Sequence, residues 1–194
     1  HDEIAVVHNG IIENYQNLRS RLQSLGYRFT SETDTEVIAH LVHWYRQQLP
    51  TLLAAVQAAS RELQGAYAFA VLSRRDPQEL ILHRKGCPLL LGIAAQGHFF
   101  ASDVAALLPV TRRVIYLEDG DFARLQQNAS SLQDVEGVLV QREEHWSQLS
   151  SAAIDLGPYR HFMQKEIYEQ PRAVADTLEA ALDGDFSKIG RAHV

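Results

Sequence analysis

The sequence predicts an α+β fold built on antiparallel sheets, and three observations lead there. Apolar residues recur at helical period from 11 to 63; residues 66–142 break into short β-type runs separated by turn residues; and strand and helix never alternate as a parallel sheet requires. The 194 residues are 46% hydrophobic and 22% charged, enough apolar mass for a core of ordinary size, which sets aside disordered and disulfide-stapled miniature proteins.

Taken in order, Ile4-Ala-Val-Val7 reads as a buried strand that stops at His8-Asn9-Gly10, a turn in which glycine supplies a positive φ. Ile11, Tyr15, Leu18, Leu22 and Leu25 then line one helical face, with Gly26 placed as a left-handed C-terminal cap. Thr33 and Glu36 have the spacing of a capping box, and Val37, Ile38, Leu41, Val42 and Tyr45 carry a second helix from near Asp34 to before Pro50. A third helix, about 52–63, ends at Gly65. Strands follow at 66–73, 79–84, 89–94, 98–101, 114–118, 121–126 and 137–142, with one or two helical turns at 103–108 and a tight turn at Asp119-Gly120. Residues 147–158 are small, polar and aperiodic, a linker pattern, and 160–182 is helical except at Pro171, which ends, kinks or restarts the helix. The expected organisation is a domain over 1–148, a linker and the start of another domain over 149–187, and a tail at 188–194.

Charge and cysteine usage narrow the function classes. Eighteen Lys and Arg against 24 Asp and Glu give a net charge of −6, so no overall field draws the chain to nucleic acid or anionic lipid. No apolar run is long enough to cross a bilayer, and nothing near residue 1 has the order of a signal peptide. The single cysteine, Cys87, forms neither an internal disulfide nor a thiolate zinc site, and a cytoplasmic setting is expected.

Three clusters have the residue types that chemistry needs. At His8-Asn9-Gly10 an amide side chain and a backbone N–H can converge on a developing oxyanion; Asn-Gly is equally a common tight turn, and His8 reads as a base or as a packed turn residue. Ser31-Glu-Thr-Asp-Thr-Glu36 gathers three carboxylates and three hydroxyls at a helix start, where N-capping needs only one, leaving Asp34 as a candidate grip for a substrate ammonium. His40 and His43 share a helix face, but no third ligand in a metal-binding pattern accompanies them and no metal is expected. Cys87, between Gly86 and Pro88, reads as a small core residue, and Asn128-Ala-Ser130 is a glycosylation sequon with no secretory signal beside it.

Three strings, Val6-Val-His-Asn-Gly-Ile-Ile-Glu-Asn14, Ser31-Glu-Thr-Asp-Thr-Glu-Val-Ile-Ala-His40 and His161-Phe-Met-Gln-Lys-Glu-Ile-Tyr-Glu-Gln-Pro171, together resemble the glucosamine-6-phosphate synthase family of class II glutamine amidotransferases, over nearly all of residues 1–187. The first two are shared by many class II amidotransferases; the third selects this family. Gly65-Ala-Tyr67, Ala101-Ser-Asp103 and Leu107-Leu-Pro-Val-Thr-Arg112 follow in the same order as in the family. The resemblance implies an N-terminal-nucleophile (Ntn) hydrolase-like four-layer αββα sandwich with antiparallel sheets, truncated here at its N-terminus. In that family an N-terminal cysteine attacks the carboxamide of glutamine with its own α-amino group as base. The ammonia passes to a second domain that converts fructose 6-phosphate to glucosamine 6-phosphate.

Carried over by residue, the resemblance assigns the Asn9 side chain and the Gly10 N–H to the oxyanion hole, and Asp34 to the α-amino group of glutamine. It implies glutamine and fructose 6-phosphate as substrates, no cofactor, and a homo-oligomer at full length. The family's nucleophilic cysteine and its arginine, tryptophan and histidine motif have no counterpart among these residues. Because the chain begins at His1 inside a strand pattern, the expectation is a fragment that is inactive alone. Lys188-Ile-Gly-Arg-Ala-His-Val194 matches a reading frame of a common sequencing adapter and is expected to be non-native. Two other readings stay open on the sequence: an amidophosphoribosyltransferase-like member of class II, and a non-catalytic glutamine-binding or regulatory domain.

Overall fold

A computed structural model describes residues 3–127, 129–149 and 156–182. The N-terminal strand β1 (Ile4–Gly10) leads into helices α1 (Tyr15–Ser24), α2 (Thr35–Arg46) and α3 (Leu52–Ser60). Next come β2 (Tyr67–Ser73), β3 (Glu79–Lys85), β4 (Leu90–Ala94), β5 (Gly97–Ala101), a 3-10 turn at Val104–Ala106, and β6 (Arg113–Tyr116). The sheets are completed by β7 (Phe122–Gln126), β8 (Ala129–Gln133), β9 (Leu139–Val140) and β10 (Glu144–Trp146), and helix α4 (Phe162–Leu182) follows. A six-stranded sheet in the order β1-β2-β3-β7-β8-β9 faces a four-stranded sheet in the order β10-β6-β4-β5. All ladders between these strands are antiparallel, so the α+β class is as the sequence predicts.

The layering follows from how β2 alternates. Tyr67, Phe69 and Val71 point to one face and join Leu22, Ile38, Leu41, Leu52 and Val56 of the helices in the main core, together with Ile81 and Phe122. Ala68 and Ala70 point to the other face and meet Leu82, Leu89, Leu91 and Ile115 between the sheets. Over the outer face of the smaller sheet, Val104 and Leu107 of the 3-10 turn region cover Leu90 and Val114. The described layers are therefore helices, sheet, sheet and a short covering turn.

Several sequence readings need correction. β1 does not stop at a turn: it runs through His8-Asn9-Gly10, with Asn9 opposite Ala68 and Gly10 opposite Tyr67. Gly10 does take a positive φ, +110°, but inside the ladder, because pairing with β2 outweighs the local turn preference of Asn-Gly. Helix α1 starts at Tyr15, and Ile11 and Leu25 are exposed while Ile12 takes the buried place expected of Ile11. The Ile11 N–H donates to Ala66 O at 2.9 Å, which holds Ile11 in extended backbone. Gly26 caps as expected, with φ +92° and Tyr27 N–H donating to Leu22 O at 3.0 Å. Thr33 and Glu36 form no capping box: α2 begins at Thr35, so Glu36 sits too early in the helix and reaches back to Thr30 and Ser31 instead. Helix α4 runs unbroken through Pro171, whose ring denies the Ile167 carbonyl its usual donor. Strands β8 and β10 fall where the sequence showed none. The sequon residue Asn128 and the tail at 188–194 lie outside the described residues, as does the middle of the expected linker.

Candidate functional site

Among the described strands β1 lies at the edge of its sheet, and its ladder chemistry builds the candidate site. The N–H groups of Ile11 and Glu13 donate inward, to Ala66 O and Gln64 O, both at 2.9 Å. Because an extended backbone alternates its donors from residue to residue, the N–H groups of Gly10 and Ile12 point the opposite way, along the free edge. Asp34 stands at this edge: its Oδ2 accepts the Ile12 N–H at 2.7 Å. It occupies the N-cap position of α2 but makes no side-chain cap bond to its own helix. A single edge thus presents the Gly10 N–H and, two residues along, a carboxylate whose side chain is 23% exposed.

Asn9 is exposed at the end of the same strand. It lines a cleft of about 260 Å³ between the sheets, with Val7, Ala68, Ala70, Phe100 and Ser102. The cleft exists because β2 presents the small side chains of Ala68 and Ala70 at this point. Gly10 cannot be larger: a Cβ there would lie 2.2 Å from Ala66 O and 2.7 Å from Tyr67 Cα. The structure brings Gly10 and Asp34 to one edge and sets Asn9 beside Gly10 along the strand.

The acidic run at the start of α2 divides its labour. Glu36 accepts from Thr30 N at 2.8 Å, Ser31 N at 2.7 Å and Ser31 Oγ at 2.7 Å, and it faces His40 Nε2 at 3.3 Å. Burial penalises its charged form, but the hydrogen bonds from Ser31 and Thr30 outweigh that and hold its pKa at about 2. The lowered value means that Glu36 stabilises the fold above the ordinary carboxylate pKa of 4.5 and loses that contribution as pH falls towards about 2. Glu36→Gln is expected to cost roughly 2 kcal/mol at neutral pH and to flatten the loss of stability between those two values, read as urea midpoints against pH. An unchanged acid limb would contradict this.

The histidines are structural in their surroundings. His40 is buried between the rings of Tyr27 and Phe29, and His43 bonds Tyr27 Oη at 2.7 Å and pairs with Glu3 at 3.2 Å. Among the described residues no group of three His, Cys, Asp or Glu is placed to hold a metal ion. Cys87 is half-buried against the core between the sheets. His8, which the sequence offers as a base or a packed turn residue, lies within β1, with Nδ1 3.0 Å from Thr35 Oγ1 and 3.8 Å from Asp34 Oδ1. The period-two pattern Ile4, Val6, His8 places it on the helix-facing side of β1, a signal hidden by treating residues 8–10 as a turn.

A family model described as a glutamine amidotransferase domain matches residues 1–109. The glutamine–fructose-6-phosphate aminotransferase (isomerizing) of Acidithiobacillus ferridurans is 68% identical over 186 residues, covering 96% of this chain and 30% of that protein. The enzymes of the same name from Neisseria meningitidis serogroup A and Yersinia pseudotuberculosis are 55% and 52% identical, over 94% and 97% of this chain. The chain spans about a third of the length of these curated relatives. Among solved structures, glutamine phosphoribosylpyrophosphate amidotransferase from B. subtilis superposes with a TM-score of 0.61 at 25% identity, over 72% of this chain and 30% of that one.

Proposed function

Since the chain belongs to the glutamine amidotransferase family and has the class II, Ntn-hydrolase fold, we propose that it forms the oxyanion and glutamine-holding side of a glutaminase site. The whole enzyme served would move the amide nitrogen of glutamine to fructose 6-phosphate, giving glucosamine 6-phosphate and glutamate for amino-sugar synthesis in the cytoplasm. The observation that carries this reading is the β1 edge, where an outward Gly10 N–H and the Asp34 carboxylate stand two residues apart. Attack on a carboxamide turns its carbonyl oxygen into an anion, for which the Asn9 side-chain N–H and the Gly10 N–H are fixed donors. The substrate's ammonium pairs with Asp34, whose remaining oxygen is free of the Ile12 bond. Relatives at 51–68% identity support fructose 6-phosphate as the acceptor over a phosphoribosyl acceptor. Residues 149–187 would link this domain to the sugar-phosphate isomerase domain, in an enzyme that assembles as a homo-oligomer.

The natural vehicle for tests is a chimera in which this chain replaces the matching 186-residue stretch of the A. ferridurans enzyme. In it, Asp34→Asn is expected to raise the KM for glutamine by about 10- to 100-fold, as loss of one buried-edge ion pair implies, with a smaller change in kcat. An unchanged KM would remove Asp34 from the site. The chain by itself, with Cys87 as its sole cysteine, is expected to hydrolyse glutamine no faster than its Cys87→Ala variant. Ammonia release above that control would contradict the assignment of the nucleophile to a residue outside this chain.

A further inference from the structure

The His8 side chain is only 2% exposed, too little to grip a substrate itself, and its ring stands beside the Asp34 carboxylate. Its Nδ1 lies 3.0 Å from Thr35 Oγ1 and 3.8 Å from Asp34 Oδ1, whereas its Nε2 is buried with no partner among the described residues. A buried N–H without an acceptor is far costlier than a buried lone pair without a donor, so the single proton of the neutral ring belongs on Nδ1. There it donates to Thr35 and presents a positive edge to the Asp34 oxygen that Ile12 leaves free. Burial pushes the His8 pKa down against the opposing charge of Asp34, in keeping with a neutral ring.

We propose that His8 is the positioning residue of the ammonium grip, fixing Asp34 Oδ1 and the first turn of α2 against β1 so that the carboxylate is already aimed along the strand edge when glutamine arrives. This deepens the reading of Asp34 and rests on it. His8 acts through Asp34 and not on the reacting atoms, so its loss shows in glutamine binding and not in the chemical step.

Variants of the full-length chimera test this. His8→Phe fills the ring's place without a donor; His8→Asn returns a donor where Nδ1 stood; and His8→Phe with Asp34→Asn asks whether the two act as one unit. His8→Phe is expected to raise the KM for glutamine about tenfold with kcat within about threefold of the parent, because the His8–Thr35 hydrogen bond that ties the start of α2 to β1 is lost. His8→Asn is expected to restore KM to within about threefold, and the double variant to bind glutamine no worse than Asp34→Asn alone. Equal KM defects in His8→Phe and His8→Asn, a fall in kcat at constant KM, or independent and multiplying defects in the double variant would overturn the proposal. Loss of folded protein in both His8→Phe and His8→Leu, read by circular dichroism and thermal melting, assigns the ring to the fold and overturns it as well. If Asp34→Asn alone leaves KM unchanged, the grip itself fails; a His8→Phe defect that persists on Asp34→Asn overturns only the role given to His8.

Discussion

Alanine at position 9 is expected to lower the glutaminase kcat of the chimera by roughly 100- to 1000-fold while changing the KM for glutamine far less. The split follows from when charge appears. A ground-state carboxamide oxygen is neutral and gains little from a second donor, whereas in the proposed site the tetrahedral oxyanion would draw on both the Asn9 amide and the Gly10 N–H. Asn9 is exposed and touches the core only through the cleft between the sheets, so its truncation leaves folding intact. Glutamate release under saturating glutamine reads the effect, and a kcat within about threefold of the parent would take Asn9 out of the mechanism.

Gly10→Ala is expected to damage the fold as well as the rate. The added methyl would sit 2.2 Å from Ala66 O and 2.7 Å from Tyr67 Cα, both backbone atoms of the neighbouring strand's entry, at a φ of +110°. Nothing flexible can yield there, so β1 must part from β2 at the point where the proposed oxyanion donor is set. A cost of roughly 3 kcal/mol or more is expected, with loss of activity beyond what the melting temperature explains. Gly26→Ala is the control: its φ is +92° but nothing lies within 4 Å of the new Cβ, so only the backbone penalty of about 1 kcal/mol applies. Equal destabilisation by the two substitutions would show that the close approach of Ala66 to Gly10 is not what demands glycine.

Legibility in the sequence tracked how local each determinant is. The helices announce themselves through Leu18, Leu22, Val37, Ile38 and Leu41, whose spacing matches the face they bury. Asn9 and Gly10 read as a candidate site but not as strand, since Asn-Gly carries the same local signal in a hairpin turn and at the end of an edge strand; pairing with Tyr67 and Ala68, some 60 residues away, decides between turn and strand. Strand β8, Ala-Ser-Ser-Leu-Gln, buries little beyond Leu132, and every residue of β10 is exposed, so neither has the apolar alternation by which strands are read. Asp34 stood out as surplus to capping, and the structure gives the reason: its oxygen serves the Ile12 N–H of another element, while the hydrogen-bonding load at the start of α2 falls on Glu36.

The central claim is that glutamine lies along the free edge of β1 between Asn9, Gly10 and Asp34. A crystal structure of the chimera with glutamine bound, its nucleophilic cysteine replaced by alanine, tests that claim most directly. The account predicts the carboxamide oxygen within about 3 Å of Asn9 Nδ2 and Gly10 N, and the substrate ammonium within about 3 Å of the Asp34 carboxylate. Glutamine seated elsewhere, or reversed so that its carboxamide meets Asp34, would contradict it.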